Sequence, residues 1–229
     1  MSIGSVPLTD LAPLAVMIPV LGAAVTFMLV RRPRAQITVT VTALVLTLLL
    51  NCLLLADVWD SGVAAVHLGG WPAPLGIVLV VDRLSALMLV VSALITLAVL
   101  LYASAQGMIN RDEGGPVSIF HPTFLILVAG VSNAFLAGDL FNLYVGFEIL
   151  LTASYVLLTM GGTAQRIRAG ITYVVVSVIS SVVFLIAIAM VYAATGTMNM
   201  ADLAVKLGEL PSDCLLYTSD AADEEDSKD

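Results

Sequence analysis

Charge is scarce in this sequence. Only 11% of its 229 residues are Asp, Glu, Lys or Arg, against 60% hydrophobic, whereas an average soluble domain is about a quarter charged. Too few polar side chains are present to cover a globule of this size, which excludes a water-soluble fold and leaves lipid as the solvent for most of the chain. Histidine and cysteine are nearly missing. His67 and His121 are far apart, as are Cys52 and Cys214, so neither a metal-ligand spacing nor a disulfide framework exists. With no nucleotide loop, cysteine cluster or haem-ligand pair, no cofactor or metal is expected on this chain, and any redox group would sit in a partner. Basic tracts are lacking too, so nucleic acid is not an expected partner.

What the sequence has is long apolar runs. Residues 11–30, 37–56, 84–102, 140–160 and 171–194 each have the length of a spanning helix, which needs about 20 residues to cross the hydrocarbon. A shorter run, 122–137, is parted from its successor by Gly138 and Asp139. Together the two are about twice one bilayer thickness, and the polar break falls near the middle, so 122–137 counts as a helix of its own. Strands of a β-barrel would be shorter and alternate in polarity. The expected fold is all-α: a polytopic transmembrane helix bundle of about six spans. The first run is not a cleaved signal peptide, because Asp10 rather than a basic cluster precedes it.

Loop charges set an orientation. The odd connections hold Arg31, Arg32, Arg34, Arg111, Arg166 and Arg168, whereas the even connections and the segment after the sixth span hold only Arg83 and Lys206. This is the positive-inside pattern, and it places both ends of the native segment on the outer side. The stretch 57–82, with Gly69, Gly70, Trp71, Pro72, Pro74 and Gly76, reads as an ordered hairpin or re-entrant cover on that side, with Trp71 suited to the headgroup level. Seven of the 17 acids lie among the last 17 residues. Residues 213–229 therefore read as a disordered acidic tail, foreign to the native protein, which is expected to continue beyond about Ser212.

Glu148 is the informative residue. It lies near the centre of the fifth span, where an ionisable group costs about 2.5–3.5 kcal/mol even on lenient insertion scales and so must face protein or water. Tyr144, Glu148, Thr152, Tyr155 and Thr159 recur at helical spacing and give that helix one polar stripe. Burial raises a carboxyl pKa and a neighbouring cation lowers it again, so a carboxyl in this setting is suited to loading and releasing a proton. A protonated glutamate that only bonds to a neighbouring helix is the plainer alternative. On the sixth span Tyr173, Ser177 and Ser180 or Ser181 form a second stripe that could face the first and hold water, although serines also serve close packing. Asn133 and Asn142 flank the break, where they either extend a hydrated path outward or bond between helices. Asp82 and Arg83 stand at the mouth of the third span and read first as an interfacial pair, with Asp82 an entrance acid as the other reading.

The run GDLFNLYVGFEILLTASYVLLT, residues 138–159, resembles the fifth helix of the antiporter-like membrane subunits shared by respiratory NADH:quinone oxidoreductase and the multisubunit Mrp-type monovalent cation/proton antiporters. DLFNLYV followed by FE is most similar to the D subunits of the Mrp branch. GIVLVVDRLSALMLV at 76–90 and YAATGTMNMADLA at 192–204 extend the resemblance, which covers nearly everything from Leu11 to about Leu210. It implies that Glu148 is the family's proton-carrying glutamate, which pairs with a lysine on a seventh helix, and that Asp82 is its common third-helix acid. This chain stops before that helix, and Lys206, within ADLAVKLGEL, is no substitute. The resemblance thus implies a fragment unable to exchange ions alone.

The expected activity is proton translocation coupled to sodium or another monovalent cation, with other subunits of a hetero-oligomeric complex as partners, in a bacterial cytoplasmic membrane. An antiporter-like subunit of NADH:quinone oxidoreductase or of a membrane-bound hydrogenase would use Glu148 identically. A membrane scaffold without transport would require Glu148 to be inert.

Overall fold

The computed structural model describes residues 8–70, 76–106, 119–160 and 162–209. Trp71, Arg111 and the acidic tail 213–229 lie outside the described residues, as does the expectation attached to each.

Among the described residues, seven helices and one hairpin follow in the order α1 (Leu14–Met28), α2 (Pro33–Ser61), β1 (Ala64–His67), β2 (Val78–Val81), α3 (Arg83–Ala105), α4 (Phe120–Leu136), α5 (Leu140–Thr159), α6 (Ala164–Thr195) and α7 (Met200–Glu209). Five helical segments are long and apolar enough to cross a bilayer, and α4 is a shorter apolar helix of 17 residues. The helix bundle expected from the apolar runs is therefore what the chain forms. The boundaries differ for a physical reason: hydropathy marks the hydrocarbon, while caps mark the helix. Pro33 occupies the first turn of α2, where its missing N–H costs nothing, and the helix runs on through Asp57 to Ser61. Thr163 caps α6, accepting from the Arg166 N–H at 3.3 Å, so this helix begins seven residues before the apolar run. Asp82 and Ser85 form a reciprocal capping box on α3, at 2.6 and 2.9 Å. The first span is a 3-10 turn, Leu8–Leu11, leading into α1.

α1 packs against α2 and α4, α2 against α3, and α4 against α5, while α6 packs mainly on α5. One buried apolar cluster includes Ala15, Leu54, Leu89 and Leu136 beneath the hairpin residues Leu79 and Val81. A second, at the other end, includes Leu44, Leu100, Phe124 and Leu125. Much of the remaining apolar surface is exposed, including Ile171, Val175, Ile179, Val183 and Ile186 of α6. In lipid this carries no penalty, because the acyl chains are as apolar as the side chains.

The hairpin does more than cover the bundle. β1 and β2 pair antiparallel, Ala64 opposite Val81. On its other edge β2 meets the α4–α5 break, where Leu79 bridges Ala137 and the Gly138 N–H donates to the Val78 carbonyl at 2.8 Å. Asp139 in turn bridges Asn199, with the Leu140 N–H donating to Met198 O at 2.9 Å and the Met200 N–H to Gly138 O at 3.0 Å. Three separate connections are thus joined by main-chain hydrogen bonds into one clasp. Gly138 is required there, since a Cβ would stand 2.8 Å from the Val78 carbonyl oxygen.

His121 is buried at the start of α4, 1% exposed, with Nδ1 3.1 Å from Thr40 Oγ1. Asp82 and Arg83 do not pair: Asp82 caps α3, while the Arg83 guanidinium lies over the Trp59 ring and donates to the Trp59 carbonyl at 3.1 Å.

Candidate functional site

Two features of the sequence aim the side chains of α5. Asp139 caps the helix, accepting from the Asn142 N–H at 2.6 Å and from the Val78 N–H at 3.4 Å, which fixes where the helix begins. From there the residues facing α6 and those facing α4 separate by helical phase alone.

The face toward α6 carries Glu148. Ser181 Oγ donates to Glu148 Oε1, and Tyr144 Oη lies 3.2 Å from the same serine oxygen. Further along the seam, Tyr173 Oη and Ser154 Oγ are 2.8 Å apart. Ser177 is half-buried between Tyr173 and Ser181, whereas Ser180 is exposed, so Ser181 is the serine aimed at α5. The Phe184 ring packs beside this end of the seam, 6.0 Å from Tyr144 and 6.2 Å from Phe147. Tyr144, Glu148, Ser154, Tyr173 and Ser181 therefore make one polar seam between two helices, in otherwise apolar surroundings. Glu148 has no ion pair among the described residues.

Among the described residues, the others singled out by spacing form no side-chain hydrogen bond within the seam. Thr152 is exposed, and Tyr155 is half-buried with its carbonyl accepting from Thr159 Oγ1 at 2.8 Å. Asn142 lies six residues before Glu148, about 240° around the helix, and faces α4. There Asn133 Nδ2 donates to the Asn142 carbonyl at 3.2 Å and to its Oδ1 at 3.1 Å. The two asparagines join α4 to α5 on the face away from Glu148. The backbones are close at this point, since a Cβ on Gly146 would come within 2.9 Å of Asn133 Nδ2 and 3.1 Å of the Ala134 nitrogen. Asp82 also stands apart from Glu148: it lines a cavity of about 600 Å³ beneath the hairpin, with His67, Ser85, Phe135 and Asn199. Lys206 is paired with Asp202 on α7 at 3.3 Å. No cluster of metal-ligating side chains occurs among the described residues.

Two participants escape a reading by spacing. Ser154 lies off the four-residue stripe and meets Tyr173 only because the helices cross there. Asp139 reads as a mere polar interruption, although an acid immediately before an apolar run is an N-cap signal.

Comparison with known proteins places this seam in a family. Residues 137–217 match the family described as NADH:quinone oxidoreductase/Mrp antiporter, TM. The chain is 38% identical over 203 residues to the D subunit of the Na(+)/H(+) antiporter of Alkalihalophilus pseudofirmus, covering 89% of this chain and 40% of that protein. Among solved structures it resembles a chain of the Mrp complex from Dietzia sp., with a TM-score of 0.76, 29% identity, and coverage of 88% of this chain and 39% of that one. It also resembles a chain of the membrane-bound sulfane sulfur reductase, an archaeal respiratory membrane complex, with a TM-score of 0.78, 28% identity, and coverage of 86% and 40%. The chain thus spans about 40% of the length of these relatives, and residues 137–217, with the α5–α6 seam inside them, belong to the transmembrane family shared by NADH:quinone oxidoreductases and Mrp antiporters.

Proposed function

We propose that this chain is the N-terminal part of a proton-translocating subunit of a multisubunit monovalent cation/proton antiporter, and that Glu148 takes up and releases the proton. The observation that carries this reading is the Glu148 carboxyl, held halfway along an apolar helix and bonded to Ser181 across the α5–α6 seam. An ionisable group in that position costs about 2.5–3.5 kcal/mol even on lenient insertion scales, so its presence there points to a function. Its partner here, the Ser181 hydroxyl, can donate to a carboxylate or accept from a carboxylic acid. The likeness to antiporter D subunits supports sodium or another monovalent cation as the coupled ion. The partners are the other subunits of such a complex, and the location is a bacterial cytoplasmic membrane.

The test is Glu148→Gln in the complete subunit, assembled in its complex and reconstituted in vesicles. Cation-driven proton movement should be abolished while the subunit still assembles, because Gln keeps the shape and loses the proton chemistry. Unchanged exchange would overturn the reading and favour a scaffold. The remaining polar residues, Tyr155, Thr152, Tyr173 and Ser177, are proposed to line the hydrated approach from the Tyr173 end. Asp82 is proposed to act as an acid at the mouth of the hairpin cavity.

A second reading rests on the likeness to the sulfane sulfur reductase chain. The same proton site would then be driven by electron transfer in a partner. Purification of the native complex discriminates: flavin or iron–sulfur absorbance travelling with the subunit favours the redox assembly, and its absence favours the antiporter.

A further inference from the structure

We infer that Ser181 and Tyr144 form a directional proton wire connecting Glu148 with the clasp end of α5. This rests on the reading of Glu148 as the proton carrier. Ser181 is 6% exposed, so its hydroxyl must satisfy itself within the protein. Its oxygen meets two others, Glu148 Oε1 and Tyr144 Oη, yet it owns one proton. It therefore donates to one neighbour and accepts from the other. Beside a carboxylate, Ser181 donates to Glu148 and accepts from Tyr144. Beside a carboxylic acid, Glu148 donates to Ser181 and Ser181 turns to Tyr144. The state of one carboxyl sets the sense of the whole row.

Release follows with every bond accounted for. The Glu148 O–H breaks as a new Ser181 O–H forms, and the original Ser181 O–H breaks as a Tyr144 O–H forms. The original Tyr144 proton passes to a water molecule beyond it, which becomes hydronium. Both hydroxyls end neutral and reversed, in the arrangement that favours the carboxylate. Tyr144 is four residues nearer the start of α5, about 6 Å toward the clasp. The rings of Phe141 and Phe184, centred 6.3 and 6.0 Å from its own, fix its position. Apart from Tyr144, no titratable group among the described residues is bonded to Glu148 or Ser181. α6 carries its charges, Arg166 and Arg168, in its first turns, and the one titratable residue of α4, His121, is bonded to Thr40.

The experiment uses the full chain in lipid nanodiscs and follows the protonated-carboxyl infrared band of Glu148, assigned by its disappearance in Glu148→Gln. Ser181→Ala should slow hydrogen–deuterium exchange of that carboxyl severalfold, because it cuts the hydroxyl row at its middle member, and Ser181→Thr, which keeps the hydroxyl, should restore it. Tyr144→Phe should slow the same exchange less. Wild-type exchange in both Ser181→Ala and Tyr144→Phe would overturn the wire, even if Glu148 proves to be the proton carrier. Conversely, antiport surviving Glu148→Gln would overturn the carrier reading without altering these spectra.

Discussion

Glu148 and Asn142 share a helix and lie within two turns of each other, yet the structure commits them to different tasks. The asparagine bonds to Asn133 and holds α4 against α5, while the glutamate opens toward α6. Interhelical bonds of this kind in membranes are worth about 0.6–2 kcal/mol. Asn133→Ala should lower stability by that amount in detergent unfolding, and it should leave hydrogen–deuterium exchange of the Glu148 carboxyl unchanged. Altered exchange would show the two faces to be coupled. Close approach at the same contact makes Gly146→Ala costly by about 1–3 kcal/mol, because its Cβ would press on Asn133 and the Ala134 main chain. Glu148 was legible in the sequence, being a lone acid in an apolar run. Its partner was not, because three serines competed for the role and only the crossing of α5 and α6 selects Ser181.

At the scale of elements, the apolar runs located the helices, and the caps determined how far each extends. α6 has 32 residues, about 48 Å of helix, although its apolar run accounts for only part of that length. The clasp could be read only in outline: a hairpin on that side of the bundle was foreseeable from its glycines, but its pairing with residues 137 and 138 was not, since backbone hydrogen bonds leave no mark in side-chain pattern. Gly138→Ala would force a methyl against the Val78 carbonyl and should loosen the clasp by about 1–3 kcal/mol. Faster amide exchange at Leu79 and Leu140 is the measurement. α7 offers a pH test. A hydrogen bond with Thr197, and then the Lys206 ammonium, hold the Asp202 carboxyl below its ordinary pKa, against the opposing effect of burial. Because the folded-state pKa is the lower one, this contribution is fully present above the ordinary carboxyl pKa and is lost as pH falls through the depressed value. Amide protection of α7 should fall in acid, and Asp202→Asn should flatten that dependence.

For the molecule as a whole, the basic residues of the odd connections predict which end of the bundle faces the cytoplasm. With Cys52 and Cys214 replaced by Ser, an impermeant thiol reagent applied to intact cells should label Ser61→Cys beside the hairpin and spare Gln165→Cys at the start of α6. The reverse pattern would invert the orientation. The clasp itself also constrains the order of biosynthesis. Its strands come from positions near 64, 79, 138 and 199, so a ribosome that has delivered α1 through α6 has still not supplied the last of them. Until Asn199 emerges, the cap of α5 lacks its outer neighbour. Final seating of the glutamate-bearing helix is therefore a late event, coming after its own insertion into the bilayer.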